Sequence, residues 1–159
     1  MRGKRWVLVL GLLIACAPEL TDRERMVERQ MVEDRLNMWV RVINNAQMDS
    51  LWVLYHGGDD LRVMWPVGRQ TRGFEETQQA WREFYESIDY MNFVLQGKAV
   101  EVLGRTAALT SFRHSTDIVR SGRRQPVRAG YGVVIWKKDD ESGEWKIHLS
   151  QISYDAPDS

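Results

Sequence analysis

The stretch over residues 61–88, LRVMWPVGRQTRGFEETQQAWREFYESI, constrains the fold more than any other. It reads as a strand, a tight turn at Pro66 and Gly68, a second short strand and then an amphipathic helix. The residues before it have the pattern of an anchor and covering helices. The residues after it have the pattern of one antiparallel sheet: strands over 89–103, 106–119, 125–138 and 144–154, separated by turns at Gly104-Arg105, Ser121-Gly122 and 139–143. Long strands joined by short turns, after three helices, define an α+β layer fold. Gly130 and Gly132 inside the third long strand imply sharp curvature or the close approach of another group.

The N-terminus carries an address. Arg2, Lys4 and Arg5 form a basic head, an apolar run covers 6–15, and small residues come next, which is the order of an export signal. The run is too short for a bilayer-spanning helix, which needs ~20 residues. Cys16 is the single cysteine, so it forms no internal disulfide. Leu13-Ile14-Ala15-Cys16 resembles the lipobox of bacterial lipoproteins. That resemblance implies lipidation of Cys16, with each buried methylene contributing ~0.8 kcal/mol to membrane anchoring. By resemblance to the outer-membrane lipoproteins of Gram-negative cells, Ala17 after the cysteine, rather than Asp, implies the periplasmic face of the outer membrane. The alternative is an ordinary signal peptide with an incidental cysteine. The chain is thus divided into a signal peptide over 1–15, a lipidated cysteine with a charged stalk or helix start over 16–26, one domain over 27–155 and a tail over 156–159.

Thr21 and Glu24 have capping-box spacing, and Val32, Leu36, Trp39, Val40 and Ile43 form one helical stripe, so a helix is expected over 21–46. Its charged first turns are expected to stand clear as a stalk. Asp49-Ser50 opens a short helix over 51–55, stopped by Gly57-Gly58. His56 sits beside those glycines and two aspartates, but one histidine and adjacent carboxylates on a loop are not a metal-ligand set. The sequence holds no metal, nucleotide or flavin motif, and no cofactor is expected. The chain is formally neutral, and without the three basic leader residues it is mildly acidic, which excludes a nucleic-acid footprint. The basic run Arg120, Arg123, Arg124 reads as a solvated hairpin turn.

Trp65-Pro66-Val67-Gly68, Gly73, the Trp81-Arg82-Glu83-Phe84-Tyr85 helix, the Trp136 strand and Gly143-Glu144-Trp145-Lys146-Ile147 come in an order that resembles the SnoaL-like branch of the nuclear transport factor 2-like (ketosteroid isomerase-like) superfamily. The resemblance covers about 27–155. It implies a cone: a curved antiparallel sheet wrapped on about three helices around an apolar pocket, often paired as a homodimer through the sheet. The positions of the isomerase base and its two oxyanion donors match Trp65, Trp39 and a place near Gly132. An indole takes no proton and glycine donates none, so isomerase chemistry of that kind is not expected.

Superfamily dehydratases use histidines on the sheet. If Gly132 faces inward, strand parity places Thr110, Phe112 and His114 inward with His148, Ser150 and Ile152. The opposite parity buries Trp145, Ile147 and Leu149 and exposes His148. Pocket candidates are therefore Trp39, Trp65, Trp81, Tyr85, Phe112, His114, Arg128, Gly132 and His148, with Arg128 either steering an anionic ligand or pairing with a carboxylate. Three functions fit these residues: a membrane-tethered module binding a small apolar molecule or a partner; a lyase or isomerase with His114 and His148 as acid and base; or a structural dimerisation domain. Trp39 and Trp65 favour the first or third.

Overall fold

The first helix begins where its cap dictates. Thr21 Oγ1 accepts the Glu24 backbone N–H at 3.3 Å, and the Glu24 carboxylate accepts the Thr21 N–H at 2.8 Å. In the computed structural model, which describes residues 19–66 and 68–156, α1 spans Asp22–Asn44 and buries Val32, Leu36, Trp39, Val42 and Ile43. The leader and Cys16 lie outside the described residues. The charged opening of α1 is not a stalk. Arg25 Nη1 donates to Val102 O at 2.7 Å, and Glu28 accepts from Lys138 Nζ at 2.6 Å and from the Trp145 indole at 2.8 Å. These charges are answered by strands far along the chain, so the first turns lie against the sheet.

Ala46, at φ 49°, ends the first helical segment, and α2 (Met48–Trp52) starts earlier than Asp49-Ser50 suggests. Strands β1 (Arg62–Met64) and β2 (Gln70–Arg72) form a hairpin. Gly73, at φ 80°, then turns the chain into α3 (Phe74–Glu86), a conformation that glycine adopts without penalty. The long strands are β3 (Tyr90–Val102), β4 (Ala107–Arg120), β6 (Arg128–Lys138) and β7 (Trp145–Tyr154), with β5 (Arg123–Arg124) a short return from β4. Ser121 and Gly122 both take positive φ in that turn, as a two-residue hairpin loop requires.

The sheet runs β2-β1-β7-β6-β4-β3, with β5 paired to β4. It is mixed rather than wholly antiparallel, because β1 runs parallel to β7. The cause is local: after α2 the chain lies alongside Ile147 at Tyr55 and continues into β1 in the same direction. Trp39, Trp136, Trp145 and Tyr55 are the largest fully buried side chains, and each polar tip has a partner. The Trp136 indole donates to Thr110 Oγ1 at 3.1 Å, for example.

One irregularity decides what the sheet presents. Ile135 pairs with Leu149 and Trp136 with Ile147, so His148 is an extra residue, a β-bulge. Before the bulge Trp145 and Ile147 face the core; beyond it Ser150 is the buried residue. Each of the two parities read from the sequence holds on one side of His148. The glycines of β6 reflect close approach: a Cβ on Gly130 would overlap the Ser153 carbonyl, and one on Gly132 would overlap the Phe112 ring.

Candidate functional site

The concave side of the sheet and the helices enclose an apolar cup. Trp39 comes from α1, Trp65 from the end of β1, and Trp81 and Phe84 from one face of α3. Trp65 meets Trp81 edge-on with ring centroids 4.8 Å apart, and Phe84 lies 5.8 Å from Trp81 and 6.2 Å from Trp65. These rings surround an inner cavity of about 70 Å³ whose only non-indole polar side chains, among the described residues, are Thr116, Ser150 and Tyr154. It adjoins an outer vestibule of about 310 Å³ that shares Trp65, Phe84 and Tyr154 and adds Arg120, Gln125 and Arg128. The vestibule reaches the range of small-molecule sites, whereas the inner cavity admits only a narrow group.

Hydrogen bonds hold the wall in place. The Tyr55 hydroxyl accepts from Trp39 Nε1 at 3.3 Å and Trp81 Nε1 at 3.2 Å. Burial pushes its pKa up to about 12, against the hydrogen bonds from Trp39, Trp81 and Ser150, so it stays a neutral phenol. Tyr85 stacks on Trp81 at 5.6 Å and donates to Ile43 O at 2.6 Å, with its pKa also raised by burial. Trp65 is the exception: its Nε1 is shielded from solvent and has no hydrogen-bond partner. Buried donors are seldom left so.

At the vestibule, the Arg128 guanidinium lies 5.1 Å over the Tyr154 ring. No carboxylate forms an ion pair with Arg128 among the described residues. Burial raises the Tyr154 pKa, with the Thr116 hydrogen bond and Arg128 opposing it.

Of the residues singled out in the sequence, Trp39, Trp65 and Trp81 meet around the inner cavity and Arg128 stands at the vestibule. Tyr85 packs behind Trp81 and lines neither space. Phe112 occupies the room left by Gly132 and packs on Trp39 and Phe93. His114 is fully buried, stacked on Phe93 at 4.8 Å. Its Nδ1 pairs with Thr116 Oγ1 and its Nε2 with Ser153 O, each at 3.2 Å. Burial lowers its pKa, the Ser153 carbonyl and Asp155 opposing, so the ring is a neutral structural element.

His148 does not join His114. The bulge turns it out of the cup, beside His56 and Asp60, and its pKa is lowered first by burial, with Asp60 opposing. Tyr154, the register partner of Gly130 next to His114, lies six residues of strand from His148, roughly 20 Å. The acid–base pair offered by strand parity is therefore not assembled. Sequence reasoning misses Phe84 as a pocket residue, although it lies one helical turn from Trp81 on the same face. It also misses Tyr55, whose hydroxyl accepts from both Trp39 and Trp81.

A mixed, bulged sheet curved over three helices, with an aromatic cup between them, is the nuclear transport factor 2-like architecture. The chain belongs to the SnoaL-like domain family of that superfamily, whose model matches residues 32–157. Among solved structures, it is similar to a nuclear transport factor 2-like superfamily protein from Salmonella enterica serovar Typhimurium (TM-score 0.76, 20% identity, 84% of this chain and 95% of that one). It is also similar to a candidate dehydratase of the same superfamily from Streptomyces avermitilis (TM-score 0.74, 13% identity, 83% and 99%). At these identities the likeness is one of fold. No curated protein matches the chain.

Proposed function

We propose that this chain is a lipid-anchored protein of the cell envelope whose cup binds a small, flat, mostly apolar molecule without transforming it. The observation that carries the reading is Trp65, which lines a largely apolar cavity and whose shielded N–H has no partner. A ligand with an acceptor oxygen at its narrow inner end supplies the missing partner, and an anionic or polar outer end meets Arg128 and Arg120 in the vestibule. The name of the Streptomyces protein raises a dehydratase reading. Against it, the described residues lining the inner cavity include no carboxylate, histidine or lysine to carry a proton.

The probe for the cup is anthraquinone-2-sulfonate, a flat aromatic whose quinone oxygens can accept from the Trp65 N–H while its sulfonate meets the vestibule arginines. Its binding is read from quenching of the tryptophan fluorescence. It is expected to bind the Cys16→Ser chain saturably, one per chain. Trp65→Phe keeps an aromatic ring and removes only the N–H, and should weaken the probe roughly fivefold, the net worth of one hydrogen bond. Equal affinity of parent and variant in a fluorescence titration overturns the acceptor assignment.

The envelope address rests on the Leu13-Ile14-Ala15-Cys16 sequence. Cys16→Ser is expected to move the protein from the membrane to the soluble fraction with its fold intact, and unchanged fractionation removes the lipid anchor. Pairing of two chains through the outer face of the sheet belongs to the same proposal, and a monomer's mass for this variant in sedimentation would dismiss it.

A further inference from the structure

Outside the cup, the chain brings together two imidazoles and a carboxylate that line neither the inner cavity nor the vestibule. The loop after α2 doubles back through Gly57 and Gly58, so that His56 Nε2 lies 3.3 Å from Asp60 Oδ1. Gly58 leaves room for the two side chains to meet, since a Cβ there would come 2.7 Å from Asp60 Oδ1 and 3.0 Å from His56 Nε2. From the sheet, the bulge in β7 delivers His148 out of alternation and sets its Nδ1 3.8 Å from Asp60 Oδ2. The two imidazoles stand edge to face with ring centroids 5.6 Å apart. One donor atom from each of the three residues falls within 4.8 Å of the others.

These separations suit ligands around one ion. Two donors each ~2.0–2.2 Å from a tetrahedral zinc lie roughly 3.4 Å apart. His56 Nε2 lies 3.3 Å from one Asp60 oxygen and His148 Nδ1 3.8 Å from the other, so a small closure of these side chains brings one donor of each onto an ion. The longer separation exceeds hydrogen-bonding distance. His148 Nδ1 is moreover shielded from solvent and has no partner in the protein. A sheltered, unpartnered ring nitrogen beside a carboxylate it does not reach is an independent pointer to something seated between them. The Asp60 side chain is 55% exposed, which leaves the solvent side open for a further ligand. Arg62, whose charge bears on His148, is engaged with the Asp59 and Leu61 carbonyls at 2.7 and 2.8 Å.

We propose that His56 Nε2, the Asp60 carboxylate and His148 Nδ1 bind one divalent transition-metal ion of the zinc class, with a fourth position left to water or an incoming oxygen. Two imidazole nitrogens with a single carboxylate favour zinc, cobalt, nickel or copper over magnesium or calcium, which take oxygen ligands. Nothing in this assignment depends on the cup or its ligand.

The test uses the full chain carrying Cys16→Ser, so that no thiol competes, stripped with a chelator and titrated with zinc chloride by calorimetry and with cobalt(II) chloride by visible absorption. One zinc per chain is expected, together with the intense visible bands of four-coordinate cobalt. His148→Gln and Asp60→Asn should each weaken zinc at least tenfold. Gly58→Val, which crowds the donors without removing one, should weaken it as well. His114→Gln, which changes the only histidine outside the cluster, should bind as the parent does. Failure to bind zinc at one per chain, or equal binding by a folded His148→Gln variant, overturns the assignment. If circular dichroism shows the site variants unfolded, the parent decides alone: no cobalt bands, or magnesium bound as tightly as zinc, overturns it.

Discussion

Tyr55→Phe is expected to cost about 2–4 kcal/mol of folding stability, a large loss for a change of one oxygen atom. The hydroxyl sits fully buried where α1, α3 and β7 converge, and it accepts from both Trp39 and Trp81. Phenylalanine fills the same volume but strands two indole N–H donors away from water. Each buried donor without a partner costs about 1–3 kcal/mol, and bonds of 3.2–3.3 Å belong toward the lower end of that range. Tyr85→Phe is the internal comparison. It removes a half-buried phenol, and the Ile43 carbonyl left behind still accepts from the Ala46 N–H, so the expected loss is only about 1 kcal/mol. Urea unfolding should show the Tyr55→Phe midpoint falling well below that of Tyr85→Phe with the slope unchanged. Equal midpoints would mean that the hydroxyl does not hold both indoles. Because Trp39 and Trp81 both line the inner cavity, the same oxygen also fixes two parts of its wall.

How much of this is legible in the sequence depends on how far apart the interacting residues lie. Thr21 and Glu24 announce their capping box because both partners sit within one helical turn. The four long strands are similarly marked by their own turns, Ser121-Gly122 most clearly. The charged start of α1 misleads for the opposite reason: Glu28 looks solvated until the Trp145 indole, 117 residues away, is brought to it. The resemblance drawn from the order of Trp65, Trp81 and Trp136 places Trp39 and Trp65 at one pocket, as the structure has them. Counting along β7 cannot place His148. The segment Trp145-Lys146-Ile147-His148-Leu149-Ser150 alternates acceptably in either parity, and a bulge uses both. Only the pairing with β6 records the extra residue, and that information is not local. The same residue completes the cluster with His56 and Asp60, so a loop that offers one histidine in sequence offers two in space.

Gly130→Ala should be the most damaging glycine-to-alanine change among the described residues, with an expected loss of about 3 kcal/mol or more. The methyl would occupy the position of the Ser153 carbonyl oxygen and also press on the Tyr154 backbone. Both colliding partners are main chain, so no change of rotamer relieves the contact, and the end of β7 must move away from β6. That movement carries the Ser153 carbonyl away from His114 Nε2, leaving a fully buried imidazole nitrogen without its partner. It also disturbs Tyr154, which lines both the inner cavity and the vestibule. Gly132→Ala supplies the contrast. Its methyl meets the Phe112 ring edge and Ile152 Cδ1, which are side-chain atoms able to shift, and overpacking of that kind costs typically about 1–3 kcal/mol. The expected order of urea midpoints is parent, then Gly132→Ala, then Gly130→Ala. A Gly130→Ala protein within about 0.5 kcal/mol of the parent would show that β6 and β7 do not approach so closely in solution, and with that the account of why His114 is buried and neutral would fail.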